Sequence, residues 1–223
     1  GVSAWYLLKG RHLDIAKPCF SFVLGAAVLI APMQVFLGDI VGLKIYEYQP
    51  LKTAAIEGNW RTQKGAPLIL FAIPNSQQEK NYYEISIPKL ASLINTHHWD
   101  GKLLGLKSVP PSERPVVGAT FWMFRVMVGI GFLFLFVALF ALWRNWRGQL
   151  YSSNRFYRLC ILIAPLGFLS TIAGWMVAES GRQPWIVYNL INISQGASIV
   201  PFHQVFISLI LLIVVYGIIF SFY

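Results

Sequence analysis

Four apolar runs, each long enough to cross a bilayer as a helix, constrain this chain more than any other feature. A helix rises 1.5 Å per residue, so about 20 apolar residues span the hydrocarbon layer. The runs are Pro18–Asp39, Val116–Trp143, Phe156–Ala178 and Pro201–Tyr223, and any three of them already make an integral membrane protein. Charge content agrees. Only 12% of the 223 residues are charged, against the roughly 25% of a soluble domain, too few to cover a water-facing surface. The expected fold is an all-α membrane protein, a transmembrane helix bundle with one long extramembrane loop.

The organisation follows from the runs. Residues 1–39 hold the end of one helix (Gly1–Leu8), a basic turn and the first full crossing; 40–115 form the long loop; 116–223 hold three more crossings. Pro18 suits a helix first turn, and Pro32 predicts a kink. Both ends of the chain stop inside apolar sequence, which predicts a fragment of a longer polypeptide.

The formal charge is +9, and its placement matters more than its size. Lys9, Arg11 and Lys17 precede the first crossing, while Arg144, Arg147, Arg155 and Arg158 lie between the second and third. If the helices alternate, both short basic loops share one side, which the positive-inside bias makes cytoplasmic. The long loop then lies outside, where its own lysines count little. No basic stripe is present, so nucleic acid is not an expected partner. Cys19 and Cys160 belong to no CxxC pair or zinc spacing and read as small packing residues.

The loop is too long for an idle connection. Its apolar residues, among them Trp60, Phe71, Tyr82, Tyr83, Ile85, Ile87 and Trp99, predict partial order, and Ser92–His98 predicts a short helix end.

A few polar residues call for chemistry. Arg125 lies inside an apolar helix, where an arginine costs about 2.5–3.5 kcal/mol on insertion scales. It either snorkels to the interface or faces an anionic partner such as a haem propionate. Met127 is either core filler or a soft axial ligand to haem. Glu179, at a helix end beside Arg182, is either one half of an interfacial ion pair or a metal-ligating or proton-relaying carboxylate. Lys52 and Glu57 are either solvated loop residues or an oxygen binder and a general base for a phenolic hydroxyl. Their five-residue separation does not put them on one helical face.

Taken in order, LGD at Leu37–Asp39, QPLKTAAIEGNW at Gln49–Trp60, FRVMVGIG at Phe124–Gly131 and GWMVAESGRQPW at Gly174–Trp185 resemble subunit I of the cytochrome bd family of quinol oxidases. GVSAWYLLKGRH at the start resembles the end of that family's fifth helix. The match runs to the ninth and last, so the chain corresponds to the carboxy-terminal part.

The resemblance implies a subunit of a quinol:oxygen oxidoreductase that passes electrons from quinol through two haem b groups and haem d to oxygen, generating a proton gradient without pumping. It implies that 40–115 is the periplasmic quinol-binding loop, short as in the cyanide-insensitive branch, with Lys52 and Glu57 as its quinol contacts. Met127 becomes the low-spin haem ligand with Arg125 beside it. Glu179 becomes a ligand at the oxygen-site haems, with Trp175 and Arg182 packed around that site. The expected partners are a second large subunit, a small single-helix subunit and membrane lipid, in a bacterial inner membrane. His12, His97, His98 and His203 fall at no family ligand position, so the chain alone is expected to be inactive. Two rival readings stand beside this one: a non-functional truncated fragment, and a non-catalytic transporter or scaffold.

Overall fold

The computed structural model describes residues 1–196 and 200–222; Tyr223, the expected end of the last crossing, lies outside them. The chain divides into two compact units, Gly1–Pro184 and Trp185–Tyr223. Among the described residues, four helical segments are long and apolar enough to cross a membrane: Leu13–Tyr48, Pro111–Trp146, Asn154–Ser180 and Phe202–Ser221.

In the first unit, α1 (Val2–Lys9) ends on Gly10, whose φ of 66° gives the left-handed turn into the next helix. Helix α2 (Leu13–Tyr48) continues unbroken through Pro18 and Pro32. Pro32 does not end it, as bilayer helices tolerate a proline whose freed carbonyl finds another partner. The helix also passes Asp39, where the sequence reading ends the crossing. It stops at Tyr48 because Gln49 precedes Pro50 and adopts an extended φ of −137°.

Helix α3 (Pro50–Glu57) opens the loop lobe. There follow strand β1 (Gln63–Lys64), hairpin strands β2 (Leu68–Asn75) and β3 (Lys80–Ile87), helix α4 (Leu90–Thr96) and strand β4 (Lys102–Leu103). Strand β1 pairs with β4, and β2 with β3, both antiparallel. The all-α expectation therefore holds for the bundle, and the loop adds short strands. Helix α4 falls where Ser92–His98 predicts one.

Helix α5 (Val117–Trp146) is the second crossing. The third, expected as one helix, is two: α6 (Asn154–Ile163) and α7 (Leu166–Ser180), broken at Ala164–Pro165. Pro165 has no N–H for the helical ladder, so the chain restarts there. Helix α5 packs on α7 and α2, and α1 on α6 and α2.

A cluster of buried side chains, including Leu7, Phe20, Val137, Leu150 and Phe156, ties the α1–α2 turn to the α5–α6 turn. Tyr151 donates its hydroxyl to the Lys17 carbonyl at 3.2 Å. The two basic turns thus lie at one end of the bundle, and the loop lobe packs on the opposite end of α5. Only 6% of the most apolar window of α2 is buried within the protein. Its exposed apolar face calls for lipid or another polypeptide.

The second unit holds an antiparallel pair, β5 (Trp185–Val187) with β6 (Ile191–Asn192), then α8 (Ile193–Gly196) and α9 (Phe202–Ser221).

Candidate functional site

Helix α3 organises the site. Pro50 takes its first turn, where a missing N–H is harmless. Gly58 closes it at φ 69°, and a Cβ there would meet the Phe121 ring at 2.9 Å, so both conformation and space demand glycine. Every residue from Leu51 to Glu57 is buried. Against the solvated-loop alternative, Lys52 and Glu57 are only 9% and 4% exposed.

Glu57 accepts a hydrogen bond at Oε1 from Asn95 Nδ2 on α4, at 3.0 Å. Its Oε2 is buried and has no hydrogen-bond partner among the described residues. Burial pushes the carboxyl above its ordinary pKa, and the Asn95 hydrogen bond and the Arg125 charge oppose that rise. The result is a carboxylate held dry, oriented by one donor, and more basic than usual.

Arg125 reaches from α5 into the loop lobe. Its Nη1 donates to the Ile56 carbonyl at 2.8 Å and to Phe121 at 2.9 Å. Its Nε reaches the carbonyls of Ile69 and Leu70, and Nη2 also donates to Ile69. The guanidinium carbon sits 3.3 Å from the Phe121 ring centroid. This fork therefore joins α5, the end of α3 and β2. These bonds use every guanidinium hydrogen but one on Nη2.

Lys52 points elsewhere. Its Nζ donates to the Ala178 carbonyl near the end of α7, at 3.4 Å. A Cβ on Gly181 would lie 2.9 Å from Lys52 Cγ, so glycine makes room for the lysine stem. Burial lowers the Lys52 pKa most, the Arg182 charge adds to this, and Glu179 opposes it. Glu179 and Arg182 form an ion pair, one of the two alternatives the sequence offers, at 2.6 Å, with both side chains about half exposed. Trp175, one turn earlier, is 66% exposed.

Met127 lies at the seam of α5 and α7. A Cβ on Gly174 would come within 2.9 Å of its sulfur, so the seam closes this tightly only because residue 174 is glycine. Ser170 Oγ donates to the Met127 carbonyl at 3.4 Å across the same seam.

Among the described residues no cluster of three or more His, Cys, Asp or Glu could hold a metal ion. A haem needs only axial donors, and the partly buried thioether of Met127 suits one face of it. His12, His97, His98 and His203 are all exposed, and His97 is paired with Asp39 at 3.2 Å. Of the residues expected to hold a haem, Met127 offers a thioether, packed against Gly174.

The structure thus brings together residues far apart in sequence. Lys52 joins Glu179 and Arg182, and Glu57 joins Arg125. It separates Lys52 from Glu57, as their spacing predicts. Sequence reasoning missed Asn95, Thr53, Gly174 and Gly181. A glycine inside an apolar helix flags a close approach and could have exposed Gly174; Asn95 carries no local signal.

The four spans among the described residues and the folded loop lobe define a polytopic helical membrane protein. The family model of cytochrome bd terminal oxidase subunit I matches residues 1–223, and the chain belongs to that family. It is 28% identical to cytochrome bd-II ubiquinol oxidase subunit 1 of Escherichia coli (strain K12), over 96% of this chain and 55% of that protein. It is 34% identical to cytochrome bd ubiquinol oxidase subunit 1 of Bacillus subtilis (strain 168), over 89% of this chain and 44% of that protein. The bd oxidase structure from Geobacillus thermodenitrificans superposes with a TM-score of 0.82 at 30% identity, covering 99% of this chain and 51% of that one. The chain spans about half the length of these relatives.

Proposed function

We propose that this chain supplies the quinol-oxidising loop and part of the haem-binding framework of a bd-type quinol:oxygen oxidoreductase in a bacterial inner membrane. The observation that carries this reading is Glu57: a buried, unusually basic carboxylate with one oxygen held by Asn95 and the other open to a donor. A quinol losing two electrons must also lose two protons, and such a carboxylate accepts a phenolic proton far better than an ordinary one. The electrons leave through two haem b groups and haem d, which supply one-electron transfer and oxygen reduction when bound; each oxygen takes four electrons and four protons to give two waters.

Met127 would hold the low-spin haem from the α5–α7 seam, with Arg125 bracing the loop beside it. Glu179 would stand at the oxygen-site haems, with Arg182 balancing its charge and Trp175 presenting an aromatic face. Lys52 would bind a quinol oxygen by swinging its ammonium from the Ala178 carbonyl, or act from its present place on the Glu179–Arg182 pair. Placing the lobe on the periplasmic side releases quinol protons outside and builds a gradient without pumping. A second large subunit and a small single-helix subunit would cover the exposed apolar helix faces.

The test is Glu57→Gln in the assembled complex. Quinol oxidation should fall at least a hundredfold while the reduced-minus-oxidised haem spectrum stays unchanged. Unimpaired turnover would refute the base assignment.

A further inference from the structure

Threonines inside helices ordinarily satisfy their hydroxyl on the carbonyl four residues back. In this chain Thr96, Thr120 and Thr171 all do so, onto Ser92, Val116 and Gly167, at 2.6, 2.8 and 3.0 Å. Thr53 on α3 does not. The carbonyl it would use, on Gln49, already accepts the N–H groups of Lys52 and Thr53. Thr53 is 4% exposed, and its Oγ1 has no partner among the described residues.

The other unsatisfied oxygen on this helix is Glu57 Oε2. Four residues apart, Thr53 and Glu57 stand one above the other on one face of α3. Lys52 lies about 140° round the helix from Glu57. Both unsatisfied residues line the same crevice, whose walls include Tyr46, Pro50, Leu103 and Leu104. A buried polar atom without a partner is costly, so two on one face of a short helix mark a place prepared for a polar group. Thr53 can donate, and an ionised Glu57 Oε2 can only accept. The complementary group must accept from one and donate to the other, as a hydroxyl does.

We infer that Thr53 Oγ1 and Glu57 Oε2 together bind one hydroxyl of the quinol head, Thr53 donating to its oxygen and Glu57 accepting its hydrogen. This rests on the quinol-oxidising reading above and adds Thr53 as a substrate-binding residue. The apolar and aromatic walls suit the ring, and the narrow crevice must widen to admit it. A quinone carbonyl could accept from Thr53 but could not donate to the carboxylate, so the pair favours the reduced form. A water has the same donor and acceptor pattern and is the competing source of that hydroxyl.

The experiment compares Thr53→Val, Thr53→Ser and Glu57→Gln in the assembled complex, reading kcat, KM for quinol and haem content. Thr53→Val removes only an unsatisfied hydroxyl, so haem content should be unchanged. KM should rise about five- to tenfold for the loss of one neutral hydrogen bond, and Thr53→Ser should restore it. A fall in kcat at constant KM, with a larger solvent isotope effect, would assign the hydroxyl to a relay water and overturn the quinol contact. Unchanged kinetics in Thr53→Val would overturn it too, and so would a failure of that variant to assemble, which would mean the hydroxyl serves the fold. If Thr53→Val is silent while Glu57→Gln abolishes turnover, only the Thr53 assignment fails. If neither variant alters turnover, the quinol-oxidising reading fails as well.

Discussion

Replacing Arg125 separates two roles that its position allows, bracing the loop lobe and serving a cofactor. The Ile56 carbonyl lies at the end of α3, where the N–H groups of Gly58 and Asn59 go to Ala55 and Ala54 instead. Arg125 Nη1 is therefore its donor. In Arg125→Met that carbonyl is left buried, at about 1–3 kcal/mol, and the charge-assisted bonds to β2 are lost at about 1.5–3 kcal/mol more. Relief of the buried guanidinium's desolvation offsets part of this, leaving a net loss of about 3 kcal/mol in the local stability of the lobe. Every 1.4 kcal/mol is tenfold, so amide exchange at the end of α3 and in β2 should quicken roughly a hundredfold. Amides of α6, at the other end of the bundle, should not change. Arg125→Lys keeps the charge but loses the fork, so its effect should be intermediate. Hydrogen–deuterium exchange by mass spectrometry on the assembled complex reads this directly. Unaltered exchange in the lobe, together with loss of the low-spin haem absorption, would refute the bracing role and assign the arginine to the cofactor.

Three further outcomes follow from the same geometry. On the proposed base role, quinol oxidation falls on the acid side, through a pKa above the ordinary carboxylate range, because a base must be ionised to take a proton; Asn95→Ala removes the donor that opposes the rise and should move that limb to higher pH, read from kcat/KM profiles. The stability contribution of Glu57 has the sign of a raised acid: fully present below its unfolded pKa and lost as pH rises through the folded one. Melts of Glu57→Gln should lack that decline. Gly174→Val drives a side chain into the space of the Met127 sulfur, so an overpacking cost of about 1–3 kcal/mol should accompany loss of the low-spin haem signal; an intact signal would place the ligand elsewhere.

The crossings were legible because length and apolarity are local properties. Phe202–Ser221 is one helix for the same reason that any such run is. The break at Pro165 was also written locally, in a residue without an N–H, and went unread because the surrounding apolar run reads as one span. The hairpin was harder. Phe71, Ile73, Tyr83 and Ile85 are largely exposed in it, so the alternation that marks a half-buried strand is blurred.

Long-range pairing is where local reading stops. The sequence shows that Arg125 needs acceptors in an apolar setting, but those acceptors are backbone carbonyls, which every residue carries. Nothing in the spelling of Ile56 or Ile69 distinguishes them. The same holds for Asn95, whose amide reaches Glu57 only because α4 folds back against α2 and β2.

Helix α3 shows what this arrangement does. Its Lys52 face is bound to the end of α7, beside Glu179 and Arg182, while its Thr53–Glu57 face lines the crevice. Eight residues thus link the buried Glu57 carboxylate to the charged end of a spanning helix through a short, buried element. Packing constrains both faces, so a group entering the crevice cannot shift α3 without disturbing Lys52 at Ala178. A shift of α3 at its Thr53–Glu57 face would therefore be felt at Lys52 and the Glu179–Arg182 end of α7, a coupling that spacing in the sequence does not reveal.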